Sequence, residues 1–367
     1  MSPHRQLLQD WHQQLRALIP GVRRTTLAPL ALLSLGLIWA GTVSLPRIAA
    51  SLPLSAHVPS TERRLARWLA NAKVPVTAVW RPFVRAALAS RVGTALTLTL
   101  DPTVLRDHAC IYVLGLVCHK RVLPLIWHLL PNTAPWHRSE AAYLARLFRV
   151  VAGWLPPDCT VTLVADRGLT NGTLLRLCQQ VGWHYVVRVS TDAKQGPKLP
   201  DGRTLWSLVP GEGKRWYGTA RLFKQAGWLT VGVSISWRRG EKEPWVLVSD
   251  LPAGPARVHT YRLRAHCEAT YEDCKTRGWQ LEATKITRYD RLNRLLVAVS
   301  VAIWWTQQLG RQVIRRGERR HWDRLHRREW SVQRLGREWM RGRLMEGKPP
   351  PLPFRWRHGE WRFAWLW

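Results

Sequence analysis

The chain has 367 residues, enough for two or three domains, and with 46% hydrophobic and 10% aromatic residues it can bury a substantial core, which excludes a disordered tail. Its 56 Lys and Arg against 24 Asp and Glu leave a formal charge of +32. So large an excess is self-repulsive unless a polyanion neutralises it, so nucleic acid is the expected partner; a basic protein without that role is the alternative. The six cysteines, Cys110, Cys118, Cys159, Cys178, Cys267 and Cys274, form no Cys-x2-Cys pair, and the histidines show no metal-binding spacing. A zinc site is not expected, and the thiols read as small buried hydrophobes in a reducing cytosol.

In chain order, residues 1 to about 90 are expected to be helical. Thr25 to Pro46 carries no charge and is just long enough to raise a membrane span, but Pro29, Gly36, Gly41 and Pro46 interrupt it. An apolar helix buried inside a DNA-binding domain is the preferred reading. Ser60 can cap a helix over residues 61–69 that puts Leu65, Trp68 and Leu69 on one face and Arg63, Arg64 and Arg67 elsewhere. A DNA-reading helix is built this way, and so is a surface helix of any basic protein.

From Ala95 the pattern alternates, with Thr97, Thr99 and Asp101 on one face and Leu96, Leu98 and Leu100 on the other, which predicts a strand ending on a carboxylate. Two apolar runs around His119-Lys120-Arg121 predict a hairpin. A helix over Ser139 to Trp154 precedes a buried strand, Thr160 to Ala165, that again leads to an acid, Asp166. Another helix spans Asn171 to Val181. Asp107 and Asp158 lie in connections. The order strand, strand, strand, helix, strand, helix matches the front half of an RNase H-like fold, whose first and fourth strands are neighbours, so that acids on them converge.

Residues 185 to 250 suit a β-rich insertion closed by a strand at Trp245 to Ser249. A long helix is expected from Tyr261 to Arg277 and a more apolar one from Leu292 to Gln308. Beyond lies a basic, Trp-rich region, helical to about Arg343 with a Pro-rich tail. The fold class is therefore α/β: a helical DNA-binding domain over 1–90, an RNase H-like catalytic domain over 91–310 with its insertion at about 191–250, and a basic C-terminal region over 311–367.

On one helix, Tyr261, Arg264, Glu268 and Lys275 fall within an arc of about 60°. Taken alone, this is equally a solvated stripe with Arg264 and Glu268 bridging at i, i+4. The spacing Tyr261-x2-Arg264-x3-Glu268-x6-Lys275, however, resembles the Tyr-x2-Arg-x3-Glu-x6-Lys signature of the insertion sequence four family of bacterial DDE transposases at all four positions. The resemblance extends to Asp166-Arg167-Gly168, to Trp245-x-Leu247-x-Ser249 and to Trp279-x-Leu281-Glu282, and covers roughly residues 90 to 310.

The resemblance implies a DNA transposase that cleaves insertion-sequence ends and joins them to target DNA by cut-and-paste transposition. It implies Asp101, Asp166 and Glu268 as the catalytic triad and ligands of two Mg²⁺ ions, with Mn²⁺ able to substitute, and Tyr261, Arg264 and Lys275 as contacts to the phosphates of the cleaved end. Pro102-Thr103 after Asp101 departs from the small or hydroxyl residue expected there. Trp216 and Trp237, in the insertion, are candidates to stack a flipped base; core packing is the bland alternative for either. The expected partners are double-stranded DNA, as element ends and target, and a second copy of the chain in a synaptic homodimer, with no membrane and a bacterial, nucleoid-associated cytoplasmic location. An RNase H-like nuclease or resolvase, or a DNA-binding domesticated transposase without activity, are the alternatives.

Overall fold

The computed structural model describes residues 1–192, 194, 196–275, 278–324 and 328–363. Five helices come first: α1 (Pro3–Leu18), α2 (Arg24–Ala40), α3 (Leu45–Ser51), α4 (Val58–Ala70) and α5 (Val76–Leu88). Then follow β1 (Ala95–Leu105), β2 (Ala109–Cys118), β3 (Arg121–Pro131), α6 (Glu140–Ala152), β4 (Thr160–Ala165), α7 (Gly172–Gln180), β5 (His184–Arg188), β6 (Arg215–Leu222), β7 (Leu229–Ser236) and β8 (Trp245–Ser249). The chain continues through α8 (Pro255–Arg262), α9 (Ala265–Cys274), α10 (Tyr289–Arg315), α11 (Val332–Met345), β9 (Phe354–Arg357) and β10 (Glu360–Phe363). Contacts divide it into two units, one of residues 93–104 and 110–270, the other of residues 1–92, 105–109 and 271–367.

The first unit is a mixed α/β fold on an eight-stranded sheet of order β3-β2-β1-β4-β5-β8-β7-β6. β4 is parallel to both β1 and β5, and β8 returns antiparallel to β5. The segment expected as an insertion extends this sheet, because β8 pairs with β5 and β7 and β6 pair on beyond it. A two-residue turn closes the β2–β3 hairpin with His119 and Lys120 both at positive φ. Ser139 and Asn171 cap α6 and α7 by accepting from the backbone N–H groups of Ala142 and Leu174. β1 does not stop at Asp101, as expected, but runs on to Leu105, since Pro102 fits extended backbone as well as a strand end.

The helical unit is organised by aromatic rings. Trp11 lies 5.0 Å from Trp305, Trp80 5.0 Å from Trp304, Phe83 5.5 Å from Phe354, and Phe363 5.4 Å from Trp304. N-terminal helices, α10 and the C-terminal β9–β10 hairpin thus share one core, in which Gln14 also donates to the Phe354 carbonyl at 2.8 Å. The apolar α2 is buried from Leu27 almost to its end, and Ser34 at its centre accepts from the indole of Trp11. Among the described residues no single helix is long and apolar enough to cross a membrane, although α2 and α3, bent at 92°, together have the length and composition of a broken span. α4 begins at Val58, two residues before the cap expected at Ser60, because Pro59 occupies its first turn, where a missing N–H costs nothing. Leu65, Trp68 and Leu69 are its buried face.

α10 and α11 approach closely through two glycines. A β-carbon at Gly336 would overlap the Thr306 carbonyl, and one at Gly310 the Val332 carbonyl. Backbone cannot yield as a side chain does, so Gly336→Ala is expected to destabilise the protein by about 1–3 kcal/mol or more. A thermal melt of the variant superimposing on the wild type would show that the helices separate at no cost.

Candidate functional site

Two aspartates are brought together by strand register. β1 and β4 pair in parallel from Ala95↔Thr160 to Leu100↔Ala165, and the next residue on each strand path is Asp101 and Asp166. Alternation then turns both carboxylates to the same side of the sheet. Asp101 is buried, and the Asp166 side chain is 30% exposed.

A helix laid on that sheet brings the next groups. Val258 and Tyr261 of α8 pack on Val164, Val186 and Leu247 from β4, β5 and β8, with Trp245 against the edge of the Tyr261 ring at 5.1 Å. The buried phenol donates to Asp166 Oδ1 at 2.9 Å, the same oxygen that accepts from the Arg167 backbone N–H at 2.8 Å.

The single long helix expected from Tyr261 onward is broken. α8 ends at Arg262 and α9 begins at Ala265, with i to i−3 hydrogen bonds at Leu263, Arg264, His266 and Cys267. No Pro or Gly causes this; the tightened spacing coincides with Arg264, whose side chain reaches down to the acids of β1 and β4. Arg277, the expected end of that helix, lies outside the described residues. α9 is held by fully buried Cys267 and by Thr270, whose hydroxyl accepts from the Val122 backbone N–H at 2.9 Å. Glu268 stands in the first turn of α9 with its side chain 65% exposed.

The guanidinium of Arg264 sits among the three acids. Nη2 is 2.8 Å from Asp166 Oδ2 and 3.6 Å from Asp101 Oδ1, and Nη1 is 2.6 Å from Glu268 Oε1. Burial opposes its charge, but Asp166, Asp101, Tyr261 and Glu268 outweigh that and raise its pKa. Burial also raises the Asp101 pKa to about 6, with Asp166 and Glu268 adding to the shift and Arg264 opposing it. Asp166 goes the other way: burial is outweighed by the Arg167 N–H, Arg264, the Tyr261 hydroxyl and Arg188, so its carboxyl is held below the usual range.

Three carboxylates are a fitting donor set for a hard divalent cation such as Mg²⁺. Yet among the described residues no three His, Cys, Asp or Glu stand close enough to hold an ion. In this arrangement the guanidinium takes the place between them, and the acids as they stand do not form a metal site.

The remaining expected residues make no contact with Arg264 among those described and are placed by their own neighbours. Lys275, in the helical unit, has its ammonium 3.4 Å from Glu282. Trp216 lies on β6, folded over Gly218. Trp237 donates to the Glu241 carbonyl and meets exposed Trp206 edge-on at 5.5 Å. Arg63 and Arg67 line an open groove of about 490 Å³ with Arg291 of α10, while Arg64 is not part of that lining and its charge, like those of Arg24 and Arg16, acts on His12. Sequence reasoning missed Arg188 and Glu243, which pair at 2.8 Å beside Arg167, and Arg291. Only their membership of a basic chain marked the arginines.

The two aspartates make opposite contributions to stability with pH. Between about pH 4 and 6 the folded protein keeps a proton on Asp101 that the unfolded chain has lost, so stability falls as pH rises through that window. Asp166, held below its unfolded pKa, contributes stability at higher pH that is lost as pH falls through its folded pKa. In chelator, Asp101→Asn should therefore gain stability over the wild type between pH 4 and 6 and keep that gain above it. A difference that stays flat from pH 4 to 8 would contradict the burial-driven shift.

Residues 138–305, a little under half of the chain, match the family model described as the transposase DDE domain. The match includes Asp166, Tyr261, Arg264, Glu268 and Lys275, and begins after Asp101. No curated protein matches the sequence significantly. Seven chains among solved structures match. One is the piggyBac transposase in a synaptic complex with hairpin DNA, seen by cryo-EM, at 11% identity and a TM-score of 0.48, over 95% of this chain and 84% of that one. Through residues 138–305 the chain carries a transposase DDE domain, and its enzyme class is that of a DDE transposase.

Proposed function

We propose that this enzyme cleaves the ends of an insertion sequence and joins them to target DNA, with Asp101, Asp166 and Glu268 as the catalytic carboxylates. The observation that carries the reading is the gathering of these acids, from β1, the end of β4 and α9, around one guanidinium within the unit that bears most of the DDE match. The strand order β3-β2-β1-β4-β5, with β4 parallel to both its neighbours, supports an RNase H-like core. The Tyr261, Arg264, Glu268 and Lys275 spacing supports the insertion sequence four family in particular.

The three carboxylates would hold Mg²⁺, two ions in the full site with Mn²⁺ able to replace them; bound metal supplies an activated nucleophile and stabilises the leaving oxygen. The chain's own side chains do the rest. Tyr261 and Asp166 orient one another through their hydrogen bond, Arg264 and Lys275 offer cations to the phosphates of the end, and Trp216 or Trp237 offers a flat face to a base. The N-terminal helices bind the element ends, and two chains act on two paired ends.

Asp166→Ala or Glu268→Ala is expected to abolish Mg²⁺-dependent cleavage of a labelled element end, while DNA binding, driven by Lys and Arg, survives. Glu268→Asp should fail largely, since a shortened side chain withdraws an oxygen by about an ångström from an ion with strict geometry. Lys275→Ala should weaken the grip on the end and leave metal dependence intact. Wild-type cutting by either alanine variant at the acids would refute the assignment.

Neutralising Arg63, Arg64 and Arg67 should weaken binding of the cognate ends. The groove lined by Arg63, Arg67 and Arg291 makes Arg63 and Arg67 the stronger pair, and the effect should shrink as salt rises. A gel shift left unchanged by the triple substitution would remove α4 as the end-binding element.

A further inference from the structure

We propose that Arg264 is a built-in counterion that keeps the acidic centre closed to divalent cations until a DNA phosphate draws its guanidinium away. The inference rests on the catalytic reading of Asp101, Asp166 and Glu268 and adds to it an order of assembly: DNA and metal load together.

One cation serves three anions. Arg264 uses both terminal nitrogens on the three carboxylates, at 2.6, 2.8 and 3.6 Å, and its buried Nε has no hydrogen-bond partner. The oxygens it occupies, Asp166 Oδ2, Asp101 Oδ1 and Glu268 Oε1, belong to the three acids that would share a cation. A divalent cation and a guanidinium among the same three carboxylates repel one another and compete for the same negative charge. With Arg264 in place the described acids do not group closely enough to bind an ion.

The plug also has a way out. Arg264 itself is only 16% exposed, but Glu268 above it is 65% exposed, so the centre opens towards solvent on the α9 side. The backbone carrying Arg264 is the tightened junction between α8 and α9 rather than the middle of a regular helix. A phosphodiester arriving there offers the planar fork two oxygens in a geometry it matches well. Asp166 keeps its bonds from Tyr261 and the Arg167 N–H when the arginine leaves, so the carboxylate stays oriented. Its freed Oδ2, with Asp101 and Glu268, is then available to a cation. Thermodynamic reciprocity follows: if phosphate binding releases the acids to metal, metal must strengthen phosphate binding by the same factor.

The test measures Mn²⁺ binding, by the electron paramagnetic resonance signal of the free ion, in the full chain without DNA. The wild type should bind weakly, and Arg264→Gln about tenfold or more tightly, with Arg264→Lys between them because a single ammonium spans fewer of the acids. Asp166→Ala in either background should lose the tight binding. Adding a short DNA duplex should raise the wild-type Mn²⁺ affinity about tenfold, after subtraction of the ions bound by duplex alone, and raise that of Arg264→Gln far less. Circular dichroism identifies the variants that fold; should neither do so, the duplex effect on the wild type decides alone. Folded Arg264 variants that bind Mn²⁺ no better than the wild type, or a wild-type affinity indifferent to duplex, would overturn the proposal. Normal end cleavage with flat Mn²⁺ affinities counts against this inference only, whereas the expected Mn²⁺ pattern without cleavage counts against the transposition reading.

Discussion

Carboxylates brought together repel one another, and a buried one also loses its hydration, so a fold that gathers three acids around a buried aspartate must supply a cation at the same point. Here that cation is Arg264, and the local structure of the sheet-bearing unit is arranged around the encounter. Parallel pairing of β1 and β4 sets the two aspartates side by side, and α8, packed over β4, β5 and β8 by Val258 and Tyr261, fixes the height at which the arginine enters. The electrostatic outcome is uneven. Asp166 collects an arginine, a phenol and a backbone N–H and ionises easily, whereas Asp101, more deeply buried and farther from the guanidinium, resists ionisation.

The break between α8 and α9 is part of the same constraint. A continuous helix would carry Tyr261, Arg264 and Glu268 past the sheet in one narrow stripe, yet their targets lie at different depths: half-buried Asp166 for the phenol, Asp166 and buried Asp101 for the arginine, and the solvent edge for the glutamate. Tightening by i to i−3 bonds over residues 263–267 redirects the chain at the arginine. Trp245, Arg188 and Glu243 then close the flank of the cluster, with Glu243 bridging Arg167 and Arg188.

The helical unit meets a different demand. Its strong positive charge is tolerable because a dense aromatic core, from Trp11 through Trp304 and Trp305 to Phe354 and Phe363, outweighs the repulsion at its surface. Acids are few, and several are spent on nearby arginines: Asp290 serves both Arg288 and Arg294, and buried Asp323 takes Arg319 together with three backbone N–H groups. Among the described residues Arg63, Arg67 and Arg291 pair with no acid and meet in one groove, the kind of surface that a phosphate backbone neutralises.

By itself the sequence determined what depends on local order: period-two alternation for the strand leading to Asp101, the apolar run leading to Asp166, the helices beginning at Ser139 and Asn171, the apolar face of Leu65, Trp68 and Leu69, and the spacing of Tyr261, Arg264 and Glu268. These follow from backbone periodicity and side-chain chemistry, which neighbours along the chain already specify. Tertiary structure alone decided that residues 215–249 extend the sheet instead of forming a separate module, that N-terminal helices share a core with the C-terminal hairpin, and that a helix regular in sequence breaks at Arg264. Each turns on partners distant in sequence, β5 for β8, Phe83 for Phe354, and Asp101 and Asp166 for Arg264. Periodicity carries no record of them, because it reports which way a side chain faces and not which charge or ring it will meet there.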